Sequence, residues 1–194
     1  MYLKNIVGHF MVITRHKWVV FKLCCKVGQP WRGLVHDLSK YSPTEFWEGV
    51  KYFNGKHSPI TDAKKDKGYS QAWLHHKGRN KHHTDYCVDL SAPDKTPIIP
   101  YQYVAEMLCD KLAAGMVYKG KDWTKEYELD YWLNERDKTL VNDQVEALIT
   151  EFLTQVSKDG IDKVLTKKNV KALYKKYCSP ERRNKVTREY ANKE

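Results

Sequence analysis

Apolar side chains recur every three or four residues along most of this chain, which is the spacing of an amphipathic helix. The first such segment covers residues 2–27, and Gly28 and Pro30 then mark its end. One face of this predicted helix carries Val12, Ile13, His16, Val19, Val20 and Leu23. His16 therefore points towards the core, where a histidine is either a structural residue or a ligand.

The same periodicity, together with helix-start and helix-stop residues, predicts further helices. They cover residues 31–40, 43–53, 69–76, 101–118, 124–138, 139–158 and 167–177. Ser42 is placed to cap the helix that starts at Pro43, with Glu45 at its third position. Polar and glycine- or proline-containing stretches predict loops at 54–68, 77–83 and 91–100, and a turn at 159–160. Strand-like alternation is scarce, so the predicted fold class is all-α.

The balance of charge favours an anionic partner. The 194 residues carry a formal net charge of +10, and the pI is about 9.2. Nucleotides, nucleic acids and phosphorylated metabolites are all plausible partners on this ground, although solvated lysines on helix faces would give the same total. The composition, 41% hydrophobic and 30% charged, is that of a globular chain rather than a disordered one.

Cysteine usage and hydropathy indicate a cytoplasmic protein. The five cysteines are odd in number and include no C-x-x-C pair, so reduced thiols are expected. No uninterrupted apolar run approaches the roughly 20 residues that a membrane span requires. We therefore expect no membrane as a partner.

Histidines and aspartates recur in four separate segments, a distribution that suits a two-metal site. They are His16, the adjacent His36 and Asp37, the histidine pairs 75–76 and 82–83, and Asp110. Asp110 lies on the inward face of the predicted helix 101–118, where an unpaired carboxylate is costly to bury. Glu106, one turn earlier, is placed to join the same network.

Each of these pieces also has a simpler explanation. The four clustered histidines could form a separate zinc site or a surface tract, and His36 with Asp37 could be a buried hydrogen-bonded pair. Asp110 could be a core acid paired with a lysine or arginine. All of them together, in this order along the chain, favour a metal site.

The order of these residues resembles that of the HD superfamily of metal-dependent phosphohydrolases, especially members with extra histidines before the last aspartate. The run His-Asp-Leu-Ser-Lys at 36–40 is similar to the His-Asp-x-Gly-Lys run of cyclic-dinucleotide phosphodiesterases, with Ser39 where glycine is usual. The string Trp-Leu-His-His-Lys-Gly-Arg-Asn-Lys-His-His at 73–83 resembles still more closely a small uncharacterised HD-like family.

This resemblance covers about residues 5–120. It implies an HD-domain-like helical bundle over residues 1–120, with residues 121–194 as a helical extension packed on the same domain. The highly charged residues 179–194 are expected to fray.

The resemblance also implies a site for one or two divalent transition-metal ions, Mn, Fe, Ni or Zn. Its ligands would be His16, His36, Asp37, His76, His82, His83 and Asp110, with Asp37 shared by both ions. Asp37 and Lys40 would be the catalytic residues, Lys40 by neutralising charge on the phosphoryl group. Lys77 and Arg79 would bind phosphate. If residues 75–83 formed one helix, His75 would share a face with His82, so not all four histidines can reach one site.

The expected activity is metal-dependent hydrolysis of a phosphomonoester or phosphodiester in a nucleotide or similar small molecule. One alternative is a catalytically silent HD-type protein that binds a nucleotide, or that binds nucleic acid through the basic helix 167–177. Another is a di-iron HD-type oxygenase. The ligand set is compatible with all three.

Overall fold

The computed structural model describes residues 2–178, and within them the chain forms ten α-helices and no strand. The all-α prediction is confirmed. The helices are α1 (Tyr2–Lys26), α2 (Pro30–Val35), α3 (Pro43–Lys51), α4 (Pro59–Lys67), α5 (Gln71–Lys77), α6 (Tyr101–Lys119), α7 (Tyr127–Glu135), α8 (Asp143–Asp159), α9 (Ile161–Val164) and α10 (Lys167–Tyr177). The predicted fraying of residues 179–194 lies outside the described residues.

One hydrophobic cluster runs through the molecule. It contains Leu23 of α1, Leu108 and Leu112 of α6, Phe152 of α8 and Leu173 of α10, each buried. Helix α6 packs along α1, and α10 packs against both α6 and α8. Because the cluster draws on residues before and after 120, the two predicted parts of the chain share a core.

The predicted helix 31–40 is wrong, because the chain breaks at its centre. Helix α2 ends at Val35, and a 3-10 turn, Leu38–Tyr41, follows. Between them Asp37 has a φ of 51°, which makes it the one left-handed non-glycine residue in the described part of the chain. Neighbouring residues of a continuous helix point about 100° apart, so the break allows His36 and Asp37 to face the same interior. A non-glycine residue adopts this conformation at an energetic cost, which the surrounding contacts must offset.

The predicted loop 54–68 is also wrong, since it contains α4. Pro59 occupies the first turn of this helix, and Gly68 ends it with a φ of 78°. Both are ordinary helix-end signals. The periodicity gave no helix because only Pro59 and Ala63 are buried, so the segment lacks an apolar stripe.

Two further segments bear on the site. Helix α3 begins at Pro43, as predicted, and the Ser42 hydroxyl accepts a hydrogen bond from the backbone of Glu45. Helix α5 ends at Lys77 and turns follow, so the two histidine pairs do not share one helix. Across residues 2–178, none of the helices combines the length and the apolar character needed to cross a bilayer.

Candidate metal centre

Seven side chains from separate parts of the chain converge beside α1 and α6. Helix α1 supplies His16, α6 supplies Asp110, and the break after α2 supplies the His36–Asp37 pair. Helix α5 and the turn after it supply His76, His82 and His83. The side chains of His76 and His82 are 2% and 1% exposed, which excludes a surface histidine tract.

The first set of potential ligand atoms lies around Asp110. Its Oδ1 is 2.9 Å from Nε2 of His16 and 3.4 Å from Nε2 of His36. The same His36 nitrogen is 3.2 Å from Oδ2 of Asp37. With M–N distances of about 2.0–2.1 Å, ligands that share one ion lie roughly 3 Å apart. His16, His36, Asp37 and Asp110 therefore have the spacing of a single cation site.

The second set lies on the other side of Asp37. Oδ1 of Asp37 is 3.4 Å from Nε2 of His76 and 3.4 Å from Nε2 of His82. Nε2 of His76 is 2.8 Å from Nε2 of His83. The two oxygens of Asp37 thus face different histidines, and this carboxylate belongs to both sets.

Two glutamates lie behind the rings and fix their orientation. Oε1 of Glu106 accepts from Nδ1 of His36 at 2.9 Å, and it lies 3.2 Å from Nδ1 of His82. Oε2 of Glu45 accepts from Nδ1 of His76 at 2.7 Å. An ionised carboxylate can only accept, so each of these rings carries a proton on Nδ1, and its Nε2 faces Asp37. This is the usual arrangement behind metal-binding histidines.

Only part of this outer layer is predictable from the sequence. Glu106 was expected in the network because it lies one turn before Asp110 on the same helix. The sequence marks Glu45 only as a helix-start residue, and no signal in the sequence connects it with the histidines 30 and 31 positions later. Its Oε1 also accepts from Nδ1 of His75 at 2.6 Å, so His75 supports the site from outside. Arg32 donates to the remaining oxygen of Glu106 at 2.5 Å and compensates its charge.

Several inner atoms form ion pairs but no hydrogen bond of normal geometry. Ten buried side-chain nitrogen and oxygen atoms of residues 2–178 have no hydrogen bond of normal geometry. Five of these lie here, namely Nε2 of His16, His36 and His82 and both oxygens of Asp37. Buried polar atoms are rarely left unpaired in proteins, and a bound cation would supply the partner of each of these atoms. The donors are nitrogen and oxygen without a thiol, which suits Mn, Fe, Ni or Zn.

Burial and neighbouring charges shift the pKa values of the site residues. Burial alone would raise the pKa of Asp37 and Asp110, but the neighbouring histidines, with Lys40 beside Asp37, hold both pKa values well below the usual range. Burial lowers the pKa of His16, and burial with the neighbouring His82 lowers that of His83. Burial alone would lower the pKa of His36, but the carboxylates of Asp37 and Asp110 raise it well above the usual value. Ionised aspartates and neutral imidazoles are the protonation states that bind metal, so His36 would release a proton when an ion binds.

The three residues expected to contact phosphate, Lys40, Lys77 and Arg79, do not lie together. Nζ of Lys40 is 2.7 Å from Oδ2 of Asp37, and the lysine lines a cavity that also contains His16 and Asp110. Lys77 and Arg79 do not line this cavity. Lys77 lies 3.7 Å from Asp85, and Arg79 is exposed.

Comparison with known proteins gives a family for this geometry. The model of a family described as "Family of unknown function (DUF5662)" matches residues 5–155. The chain belongs to this family. The matched residues of this DUF5662 protein include all seven inner side chains and both glutamates behind them. No curated protein and no solved structure matches the chain.

Proposed function

We propose that this DUF5662 protein is a metal-dependent phosphohydrolase with an HD-type site for two divalent ions. The observation that carries the proposal is Asp37, whose two oxygens face two different sets of imidazole nitrogens. A carboxylate shared in this way is what two-ion hydrolytic sites use to hold their cations a few ångströms apart.

We assign one set of ligands to each ion from the positions of the side chains. His16, His36 and Asp110 would hold the first, and His76, His82 and His83 the second, with Asp37 common to both. When bound, such ions make water a usable nucleophile near neutral pH and offset negative charge on phosphoryl oxygens. Four protein ligands to each ion would leave coordination positions for water and substrate.

The chain itself contributes orientation and charge. Glu106 and Glu45 keep the proton of their histidines at Nδ1, so the opposite nitrogen stays available as a ligand. Lys40 stands at the edge of the site, where the carboxylate of Asp37 overcomes the effect of burial and raises its pKa, so it stays cationic. Its ammonium is placed to neutralise charge that develops on a phosphoryl oxygen. We assign the phosphate-contacting role to Lys40 rather than to Lys77 or Arg79.

The substrate we propose is a phosphorylated small molecule such as a nucleotide. The cavity beside the ligand sets has a volume of about 200 Å³. A cavity of this volume admits a small molecule and excludes a macromolecule. A cytoplasmic location is consistent with the five free cysteines, all within residues 2–178.

Metal content and turnover, measured on the same preparations, test the proposal. Wild-type protein purified without chelators should carry close to two ions per chain by inductively coupled plasma mass spectrometry. It should hydrolyse members of a panel of phosphomonoesters and phosphodiesters, and Asp37→Asn should lose both the ions and the activity. The matched control is Asp162→Asn, since the side chain of Asp162 is 90% exposed and pairs with Lys26 on the surface.

The other outcomes separate the alternatives. Protein that binds no Mn, Fe, Ni or Zn with its histidines intact would contradict the proposal outright. Two irons with substrate-dependent oxygen consumption and no hydrolysis would indicate an oxygenase. Bound metal with tight nucleotide binding and no turnover would indicate a sensor, and affinity for nucleic acid that falls steeply with salt would indicate a nucleic-acid binder.

A further inference from the structure

The cavity beside the candidate metal centre is lined by two unlike sets of side chains. Lys40, His76, His83 and Asp110 belong to the site described above. The rest of the wall is mainly apolar and includes Val12, Ile13, Ile60, Ala72, Trp73 and Ala114. A substrate that fills it must therefore join one charged group to an uncharged remainder.

His9 lies in the wall of this cavity, away from the ligand sets. It precedes His16 by seven residues of α1, so the two imidazoles share a face and are separated by roughly 10 Å along the helix at 1.5 Å per residue. The side chain is 94% buried, and its Nδ1 has no hydrogen-bond partner among residues 2–178. A buried imidazole nitrogen without a partner costs free energy unless a ligand supplies the missing hydrogen bond.

Neighbouring residues pack closely around the imidazole ring of His9. The rings of Phe46 and Phe53 lie 5.4 Å and 5.9 Å from it, centroid to centroid. On α3, Gly49 leaves the space that the imidazole occupies, because a Cβ there would collide with Nε2. Burial, with the charge of Lys40, lowers the pKa of His9 to about 4, so the ring is neutral at physiological pH. A neutral imidazole donates one hydrogen bond and accepts another, and it recognises an uncharged polar group.

The charged side chains in the cavity wall limit which groups the substrate can carry besides one phosphoryl group. Lys40 is the one lysine or arginine in the wall within residues 2–178. The acids there, Glu45, Glu48 and Asp110, already have partners. Two bound ions and one lysine suit a single phosphoryl group, and the apolar wall offers no cation to further phosphates.

We propose that His9 determines the specificity of this site by hydrogen bonding to an uncharged polar group on a monophosphate whose remainder is a ring system. This assignment rests on the proposed hydrolase function, because the phosphoryl group is taken to lie at the metal end. A nucleoside 5′-monophosphate has this combination of one phosphate and a polar-edged ring. Nucleoside triphosphates and oligonucleotides do not, since they carry additional phosphates.

The test compares ring monophosphates with a reference that lacks the polar edge. The probes are the four ribonucleoside 5′-monophosphates and phenyl phosphate, assayed with metal-loaded wild type, His9→Phe and His9→Gln. For the favoured nucleotide, the kcat/KM ratio to phenyl phosphate should fall at least about tenfold in His9→Phe, mainly through a higher KM. His9→Gln, which keeps a donor and an acceptor, should retain most of the ratio. The matched control is His57→Gln, because His57 pairs with Asp62 on the surface.

The outcomes separate this proposal from the hydrolase proposal. If wild type hydrolyses phenyl phosphate but His9→Phe leaves the ratio unchanged, or no nucleotide is favoured, the role of His9 is wrong and the hydrolase stands. If wild type hydrolyses nothing, calorimetric binding of the same nucleotides to wild type and His9→Phe still decides the role of His9. Circular dichroism checks folding. Should His9→Phe misfold, Gly49→Ala displaces the ring instead, and the same loss of selectivity is expected.

Discussion

Nδ1 of His36 lies 2.9 Å from Oε1 of Glu106, a residue 70 positions later that does not line the cavity beside the site. Burial alone would raise the pKa of Glu106, but the hydrogen bonds from His36 and His82 hold it at about 2. Glu106 is therefore ionised at any pH where the protein works, and it fixes one histidine of each ligand set. A single carboxylate on α6 thus orients both halves of the proposed centre.

Replacing that carboxylate should weaken metal binding without removing a ligand. In Glu106→Gln the ring orientation can persist, but the charge that strengthens both hydrogen bonds is lost. We expect metal affinity to fall about 10- to 100-fold, the usual cost of removing such a partner. Competition with a chromophoric chelator measures this affinity. The control Glu126→Gln changes an exposed glutamate outside the site, and equal affinities in the two variants would contradict the role of Glu106.

The two ligand sets should be separable by substitution. Asp110→Asn affects the first set, since Asp110 lies against His16, whereas His83→Ala affects the second. Each variant should retain about one ion per chain, while Asp37→Asn should retain none, because Asp37 belongs to both sets. Mass spectrometry of dialysed protein gives the stoichiometry. Complete loss of metal from both single-set variants would point to one ion held by all seven residues.

Substitutions of Lys40 and of Lys77 test which of the two lysines contacts the phosphoryl group. Lys40→Gln should lower kcat about 100-fold, as is typical when one charge-stabilising group is removed, while the metal content stays unchanged. Lys77→Gln should have little effect, because Lys77 pairs with Asp85 outside the cavity. Steady-state kinetics on the best phosphomonoester checks both. A large loss in Lys77→Gln with normal activity in Lys40→Gln would reverse the assignment.

Glu128 on α7 should make the stability of the protein depend on pH. Burial raises the pKa of this carboxyl from 4.5 to about 7, although the indole of Trp123 donates to it at 3.3 Å. The folded state therefore favours the protonated form. Protonated Glu128 contributes at most about 3 kcal/mol to the free energy of unfolding. This contribution is complete below pH 4.5 and is lost as the pH rises through about 7.

Glu128→Gln should remove this dependence, because an amide does not ionise. At pH 8 we expect the free energy of unfolding of the variant to be about 2 kcal/mol higher than that of wild type. At pH 5 the two free energies of unfolding should be nearly equal. Urea denaturation at both pH values measures the difference. Glu126→Gln serves again as the exposed control, and identical curves for wild type and Glu128→Gln at pH 8 would show that Glu128 ionises freely.

The sequence by itself determined the helical architecture and the list of metal-ligand candidates. Helix α10 has the bounds that its periodicity predicts, and the start of α3 follows from Ser42 and Pro43. These features depend on residues within one or two turns of each other, and local spacing is visible in a sequence. The candidate ligands were found for a related reason, since histidine and aspartate at inward positions need an explanation wherever they occur.

Only the tertiary structure decided how those candidates are used. The left-handed conformation of Asp37 has no local signal such as glycine, and it is stable because the surrounding segments hold both of its oxygens in the interior. The pairing of Glu45 with His76, and the placement of Lys77 outside the cavity, depend on helices that meet across 31 or more residues. Such contacts are set by packing in three dimensions, whereas hydrophobic periodicity records only which side of a helix is buried.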